Sequence, residues 1–431
     1  MTASGHHPRI HIRDGRVIDP ANGIDGQLDL YISHGRVAAV GQKPGGFDAD
    51  RVIDAGGCIV CPGLVDLAVH LREPGEEHKA TICSETAAAA RGGITTLVCT
   101  PDTSPVIDTP AIGELVRSRA THCASARVLA IGALTRGLRG EQLAEMAALK
   151  RAGCVAVGNA DYPLTNSLVA LRAMEYAATF ELPVVLRSED LALKAAGCVH
   201  EGSVSARLGL PGIPSAAETV GIARDLALAE HSGARVHFHC LSTAGAAKLL
   251  RAARNQYAPV SADVAIHQLF LLESDADDFT IDCRVDPPFR SLADRDALRN
   301  AVADATIGAI CSDHRPHEAE AKALPFPQTA PGISGLETLL PLSLKLVNEG
   351  ILDLSAAIQR LTAGPADILG LPLGRLSPGG SADICIFDPE TIWTLNRTRM
   401  LSAGKNTPFH NWELTGQVCY TLVQGRITYE H

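Results

Sequence analysis

The sequence predicts an α/β protein: a (β/α)8 TIM barrel over residues 61–375, with a small composite β-sandwich built from residues 1–60 and 376–431. Three observations carry this. Both chain ends contain short strand-like runs and no helical periodicity. The middle alternates apolar strands with longer stretches of helical period. No GxGxxG follows the first strand of the middle region, which disfavours a doubly wound dinucleotide fold.

At the N-terminal end, "RIHIRDGRVID", "LDLYISHGRVAAVG" and "RVIDAGGCIVCPG" read as short strands with Asp-Gly or His-Gly turns. "VDLAVHLREPG", Val65 to Gly75, opens the middle region. It is followed in order by "TTLVCTP", "ARVLAIGAL", "CVAVGNA", "LPVVLRSED", "RVHFHCLST", "PVSADVAI" and "TIGAICSDH". Between them, "EQLAEMAALKRAG" and "AAETVGIARDLALAEHSG" carry helical periodicity. Such β-α units, repeated over about 300 residues, suit a closed barrel, which takes ~250. At the C-terminal end "ADICIFDP", "WTLN" and "GQVCYTLVQGRITYEH" are again strands.

Of the 431 residues 46% are hydrophobic, enough for a large core, and the net charge is −10. No Lys/Arg-rich stretch is present, which argues against nucleic acid and anionic membranes as partners. The N-terminus shows no apolar signal core, no apolar run approaches membrane-spanning length, and the chain is expected in the cytoplasm. The twelve cysteines are dispersed, many inside apolar runs, and are expected as buried free thiols. Cys58 and Cys61 have CxxC spacing but no second pair, so no zinc ribbon is expected. The His6-His7 pair reads as tail.

Chemistry in a barrel of this kind sits at the C-terminal ends of the strands. Those ends offer Ala68, His70 and Arg72, then Asp102 in "CTPDTSP", Asn159 in "AVGNADYP", Arg187 in "VVLRSED", Cys240 in "VHFHCLST", and Asp313, His314 and His317 in "ICSDHRPH". The first end is unusual. A metal-gripping strand end shows Asp-x-His-x-His, since alternate residues face one side. Here Asp66 and His70 fit that frame, and Ala68 puts a methyl group where the first imidazole belongs.

"HLREPGEEHKAT", "LGLPGIPSAAE", "DPPFR", "SDHRPH", "GISGLETLLPL" and "GKNTPF" together resemble the motif series of the dihydroorotase family in the amidohydrolase superfamily, whose near relatives are allantoinases and hydantoinases. The resemblance runs from about residue 10 to residue 428 and implies a barrel of the amidohydrolase type with a composite sandwich. It assigns the family's metal-ligand positions to Ala68, His70, Asn159, Arg187, Cys240 and Asp313, of which only His70 and Asp313 keep the expected type. Ala68 donates nothing, Asn159 offers a neutral oxygen, and Arg187 brings a fixed positive charge. Cys240 alone is a plausible new ligand. Strand alternation points the neighbouring His239 to the opposite face, unless the strand is kinked.

The resemblance also implies a pocket for the dihydroorotate carboxylate. Arg72 and His317 remain of it, whereas Asp102 and Asp286 stand where the family has asparagines, giving acceptor-only anions that would repel an anionic ligand. The implied chemistry, hydrolysis or closure of a cyclic amide, needs a metal-activated hydroxide with the Asp313 position shuttling the proton. The reading is therefore a catalytically silent dihydroorotase homologue with no metal, no cofactor and a vestigial pocket. It is expected to self-associate and, by resemblance to degenerate dihydroorotases, to partner aspartate transcarbamoylase. In that reading Arg187 turns inward and pairs with Asp313, directly or through one water. The alternatives are an active cyclic amidohydrolase, its zinc held by His70, Cys240 and Asp313 or a rearranged set including His237 and His239, and a metabolite sensor using Arg72 and Arg187 as anion binders.

Overall fold

A computed structural model describes residues 8–256 and 259–431. The His6-His7 pair lies outside the described residues. Eight parallel strands form one sheet in chain order: β1 (Leu64–Val69), β2 (Ile94–Cys99), β3 (Arg127–Ala133), β4 (Ala156–Gly158), β5 (Val184–Leu186), β6 (Val236–Phe238), β7 (Val260–Ala265) and β8 (Ala309–Cys311). Each falls on one of the eight runs read from the sequence, β1 and β2 starting one residue ahead of theirs.

The sheet closes beyond the regular ladder. Val69 bridges His314 in parallel, His70 N donates to His314 O at 2.9 Å, and His314 N donates to Ala68 O at 3.1 Å. A closed barrel leaves no edge for an open sheet, so the doubly wound alternative is excluded. Asp66 locks the seam from within: its carboxylate accepts from Ser312 N at 3.0 Å and from the Ser312 hydroxyl. His314 is fully buried and meets Glu85, also fully buried, at 2.7 Å. The strand that carries the most site residues is thus tied to the first by polar groups sealed from water.

The packing follows the period of two. In β8, Ala309 and Cys311 face the barrel interior with Leu67, Ala68, Val98, Ala156, Cys240 and Ala265, whereas Ile310 joins the outer core under the helices. The longest helix, Ser215–Ser232, covers the expected periodic stretch. The stretch at 141–153 is helical only over Met146–Arg151, because Leu143 pairs with Thr135 and Gln142 O accepts from Arg136 N, which takes the preceding residues into a loop.

The chain ends meet in two sheets. One has four strands (Ile10–Arg13, Leu30–Ser33, Arg36–Val40 and Arg51–Asp54), the other six, in which Ile384–Thr394 pairs antiparallel with Ile59–Pro62. "ADICIFDP" and "WTLN" form a single strand with an irregularity between Asp388 and Ile392. Ile384 and Ile386 enter the sandwich core while Cys385 and Phe387 enter the barrel-side core, so this strand serves both. The turn at His34-Gly35 has φ of 51° and 72°, as a two-residue hairpin turn with two left-handed residues requires.

The cysteines depart from expectation in one place. Cys83 and Cys123, on the adjacent helices Ile82–Arg91 and Pro110–Cys123, form a disulfide with Cα atoms 5.0 Å apart. Ten others are free. The CxxC pair diverges: Cys61 faces the barrel-side core, and Cys58 packs on the sandwich core with its sulfur 3.9 Å from that of Cys419. Among the described residues no helix is long and apolar enough to cross a membrane.

Candidate functional site

Strands β1 to β8 deliver their last residues to one end of the barrel. Three of these, Arg72, Cys240 and Asp313, have φ of 63°, 54° and 45°. Left-handed backbone is uncommon outside glycine, and such strain concentrates where side chains must be aimed.

The centre of the mouth is an ion-pair network. Arg187, at the end of β5, is buried and points inward, as expected. Its partners differ from the expected one. Nη1 donates to Asp161 Oδ1 at 2.7 Å and Nη2 donates to Asp286 Oδ1 at 2.5 Å. Asp313 Oδ1 instead accepts from Arg315 Nε at 2.9 Å. Arg315 also grips Asp161 with both terminal nitrogens, Nη2 donating to Oδ1 at 2.9 Å. The left-handed turn at Asp313 folds Arg315 back over it, so the two arginines meet through Asp161 rather than through Asp313. Burial acts to raise the Asp161 carboxyl, but Arg315 and Arg187 outweigh it and hold it well below the ordinary 3.8.

The two carboxylates that replace amides are not repulsive anions; each has acquired a cation or an imidazole. Asp286 Oδ2 accepts from Lys194 at 2.7 Å, and Lys194 donates to Glu189 at the same distance. Asp102 Oδ2 lies 2.9 Å from His70 Nδ1, with the Thr100 hydroxyl 3.2 Å from the same nitrogen. Burial opposes ionisation of Asp102, but His70 prevails and brings its carboxyl down to about 2. Asn159 is fully used by the loops after β3 and β4: Oδ1 accepts from the Thr135 hydroxyl at 2.8 Å, and Nδ2 donates to the carbonyls of Leu138 and Tyr162. Arg72 donates to Pro316 O and Glu76, and its Nη2 lies 3.1 Å from His317 Nε2. Burial, then the Arg72 charge, push the His317 imidazole down to about 2, so it is neutral.

The residues at the family's ligand positions do not fit a metal centre of the family's kind. Ala68 lies in apolar packing, Asn159 has both amide ends engaged, and Arg187 carries a charge of the wrong sign. His70, Cys240 and Asp313 do not converge either, since each holds a different partner. One histidine does overturn its expectation. Regular β6 stops at Phe238 and Cys240 is left-handed, so alternation fails and His239 Nε2 lies 3.2 Å from Cys240 Sγ. Sequence reasoning missed Asp161, Lys194, Asp263 and Arg315. A signal existed for Asp263, a carboxylate inside the apolar run "SADVAI"; Asp161 and Arg315 lie inside quoted motifs but carry no periodicity of their own.

The Asp102–His70 pair has a measurable consequence. A carboxyl with a lowered folded pKa stabilises above its unfolded value, and that part is lost as pH falls toward the folded one. From 3.8 to about 2 the contribution is about 2 kcal/mol at neutral pH. Urea unfolding of the native chain and of Asp102→Asn should therefore show the native advantage shrinking by about 1 kcal/mol between about pH 6 and about pH 3. A pH-independent difference would remove the pair from the account.

Comparison with known proteins agrees with this architecture. A family model described as dihydro-orotase-like matches residues 57–245, and an amidohydrolase family model matches residues 345–429. The chain is 49% identical to a dihydroorotase-like protein of Pseudomonas putida over 97% of this chain and 98% of that one. It is 46% identical to a dihydroorotase of Syntrophotalea carbinolica over 98% and 99%. Its fold is similar to that of an L-hydantoinase (dihydropyrimidinase) from Arthrobacter aurescens, with a TM-score of 0.88 at 24% identity over 98% of this chain and 96% of that one. With a closed barrel, a composite sandwich and near-full-length relatives of this identity, the chain belongs to the dihydroorotase-like family of the amidohydrolase superfamily.

Proposed function

We propose that this chain is a non-catalytic dihydroorotase homologue of pyrimidine biosynthesis, retained as a structural partner of aspartate transcarbamoylase. The observation that carries the loss of chemistry is Arg187. It stands where the resemblance gives the family a metal-binding histidine, and it is held by Asp161 and Asp286 at 2.7 and 2.5 Å. A guanidinium in that setting keeps its proton and cannot serve as a ligand. Asp313, at the proton-shuttling position, has one carboxylate oxygen committed to Arg315.

A chain that keeps a complete barrel without its chemistry is retained for its surface. Exposed apolar side chains follow the strand ends: Tyr162 and Leu168 after β4, Leu191 and Leu193 after β5. Apolar groups of this kind suit a protein partner, whose stable interface would bury about 1,600 Å² in total. The identity of that partner, and self-association, come from the family resemblance. In this reading the chain works in the cytoplasm.

A second reading, an active cyclic amidohydrolase that interconverts N-carbamoyl-L-aspartate and dihydroorotate at a rearranged centre, has in its favour a thiol–imidazole cluster around Cys240 and a group of His70, Asp102 and Asp161. Turnover decides between them. The purified chain should show no dihydroorotase activity in either direction, with or without added zinc or manganese; metal-responsive turnover would establish the second reading instead.

Co-expression with the transcarbamoylase of the same organism, followed by size-exclusion chromatography with light scattering, tests the partnership. One large particle, with transcarbamoylase activity dependent on this chain, is the expected outcome. Separate elution at micromolar concentration, with the transcarbamoylase fully active alone, would overturn it.

A further inference from the structure

On the barrel wall formed by β6 to β8, four groups converge that the ion-pair network does not use. A ring nitrogen of His239, Cys240 Sγ, a carboxylate oxygen of Asp263 and Cys311 Sγ all lie within 4.8 Å of one another. Cys240, Asp263 and Cys311 are buried, and the His239 side chain keeps only 9% of its surface. The two sulfurs are 3.9 Å apart, and His239 Nε2 is 3.2 Å from Cys240 Sγ.

The carboxylate organises the rest. Asp263 Oδ2 accepts from His239 Nδ1 at 2.7 Å and from His237 Nε2 at 2.9 Å, and Oδ1 accepts from Cys240 N at 2.6 Å. A histidine whose Nδ1–H is tied to a carboxylate presents a bare Nε2 lone pair in a fixed direction, the arrangement that orients metal-binding imidazoles. Here that nitrogen faces the Cys240 sulfur at 3.2 Å, and the proton shared between them leaves when a cation binds. Zinc–sulfur bonds of about 2.3 Å and zinc–nitrogen bonds of about 2.0 Å give tetrahedral edges of about 3.8 Å between sulfurs and about 3.5 Å between nitrogen and sulfur. The observed separations are close to these edges.

We infer that His239, Cys240 and Cys311 form a site for one thiophilic divalent cation, zinc by chemical class, with Asp263 as the carboxylate that positions His239. Binding deprotonates both thiols, so two protons leave as one dication enters and the added charge is cancelled. The fourth position borders the cavity lined by Arg187, His239, Cys240 and Arg290 and is left to water. Of the six ligand positions carried over from the family only Cys240 takes part, so this is not the family's hydrolytic centre. The inference does not rest on the function proposed above: metal binding without turnover leaves that function standing, and metal-responsive turnover would overturn it.

The test uses the full-length chain carrying His6→Ala and His7→Ala, to remove the tail imidazoles, stripped with chelator under reducing conditions. Titration calorimetry with zinc in two buffers of different ionisation enthalpy should give one site per chain and two protons released. The cobalt form should show thiolate-to-cobalt charge transfer in the near ultraviolet and the intense visible bands of a tetrahedral ion. Cys311→Ser and His239→Gln should each weaken zinc by about tenfold or more, while His70→Ala leaves its affinity unchanged. The cobalt spectrum needs no further variant and stands even where a substitution impairs folding. No charge-transfer band, zinc binding that survives loss of both cysteines, or binding lost with His70 would each overturn the site.

Discussion

Asp161 is gripped by Arg187 from the end of β5 and by Arg315 from beyond β8. The organisation of the barrel mouth depends on this shared carboxylate. Through Arg187 it reaches Asp286 and, beyond it, Lys194 and Glu189. Through Arg315 it reaches Asp313. Three cations thus face four carboxylates. Ion pairs removed from water recover their desolvation cost only when geometry and hydrogen bonding are near complete, and deleting one member leaves the others stranded. The network therefore ties the strand ends together at the barrel mouth.

The charge logic is coherent position by position. A metal-bearing mouth needs anions and neutral imidazoles around dications. Here the imidazole position at 187 is a guanidinium, and Asp102 and Asp286, which read as misplaced anions in isolation, each have a compensating group. The substitutions make sense as one set.

Much of the fold was legible because it rests on periodicity. Eight apolar runs separated by helical stretches specify a barrel, and β-turn signals at both chain ends specify the strands of the sandwich. The stretch at 141–153 misled because a helical period persists where backbone pairing with 134–136 wins. In the site, the residues were legible and their partners were not. Arg187 was placed correctly inward but matched to the wrong carboxylate, since the left-handed backbone at Asp313 that brings Arg315 back has no sequence signature. The same holds for Cys240, whose φ of 54° turns His239 toward the sulfur that alternation would have it avoid. The Cys83–Cys123 bond joins helices whose adjacency only the packing reveals.

In the function proposed above, guanidinium groups take over the electrostatic role of a metal at the mouth. The most direct measurement is a double-mutant cycle on Arg187→Met and Asp161→Asn, by urea unfolding in the presence of a chelator. The account predicts a coupling energy of about 1.5 kcal/mol or more between the two side chains. A coupling within about 0.3 kcal/mol of zero would contradict it.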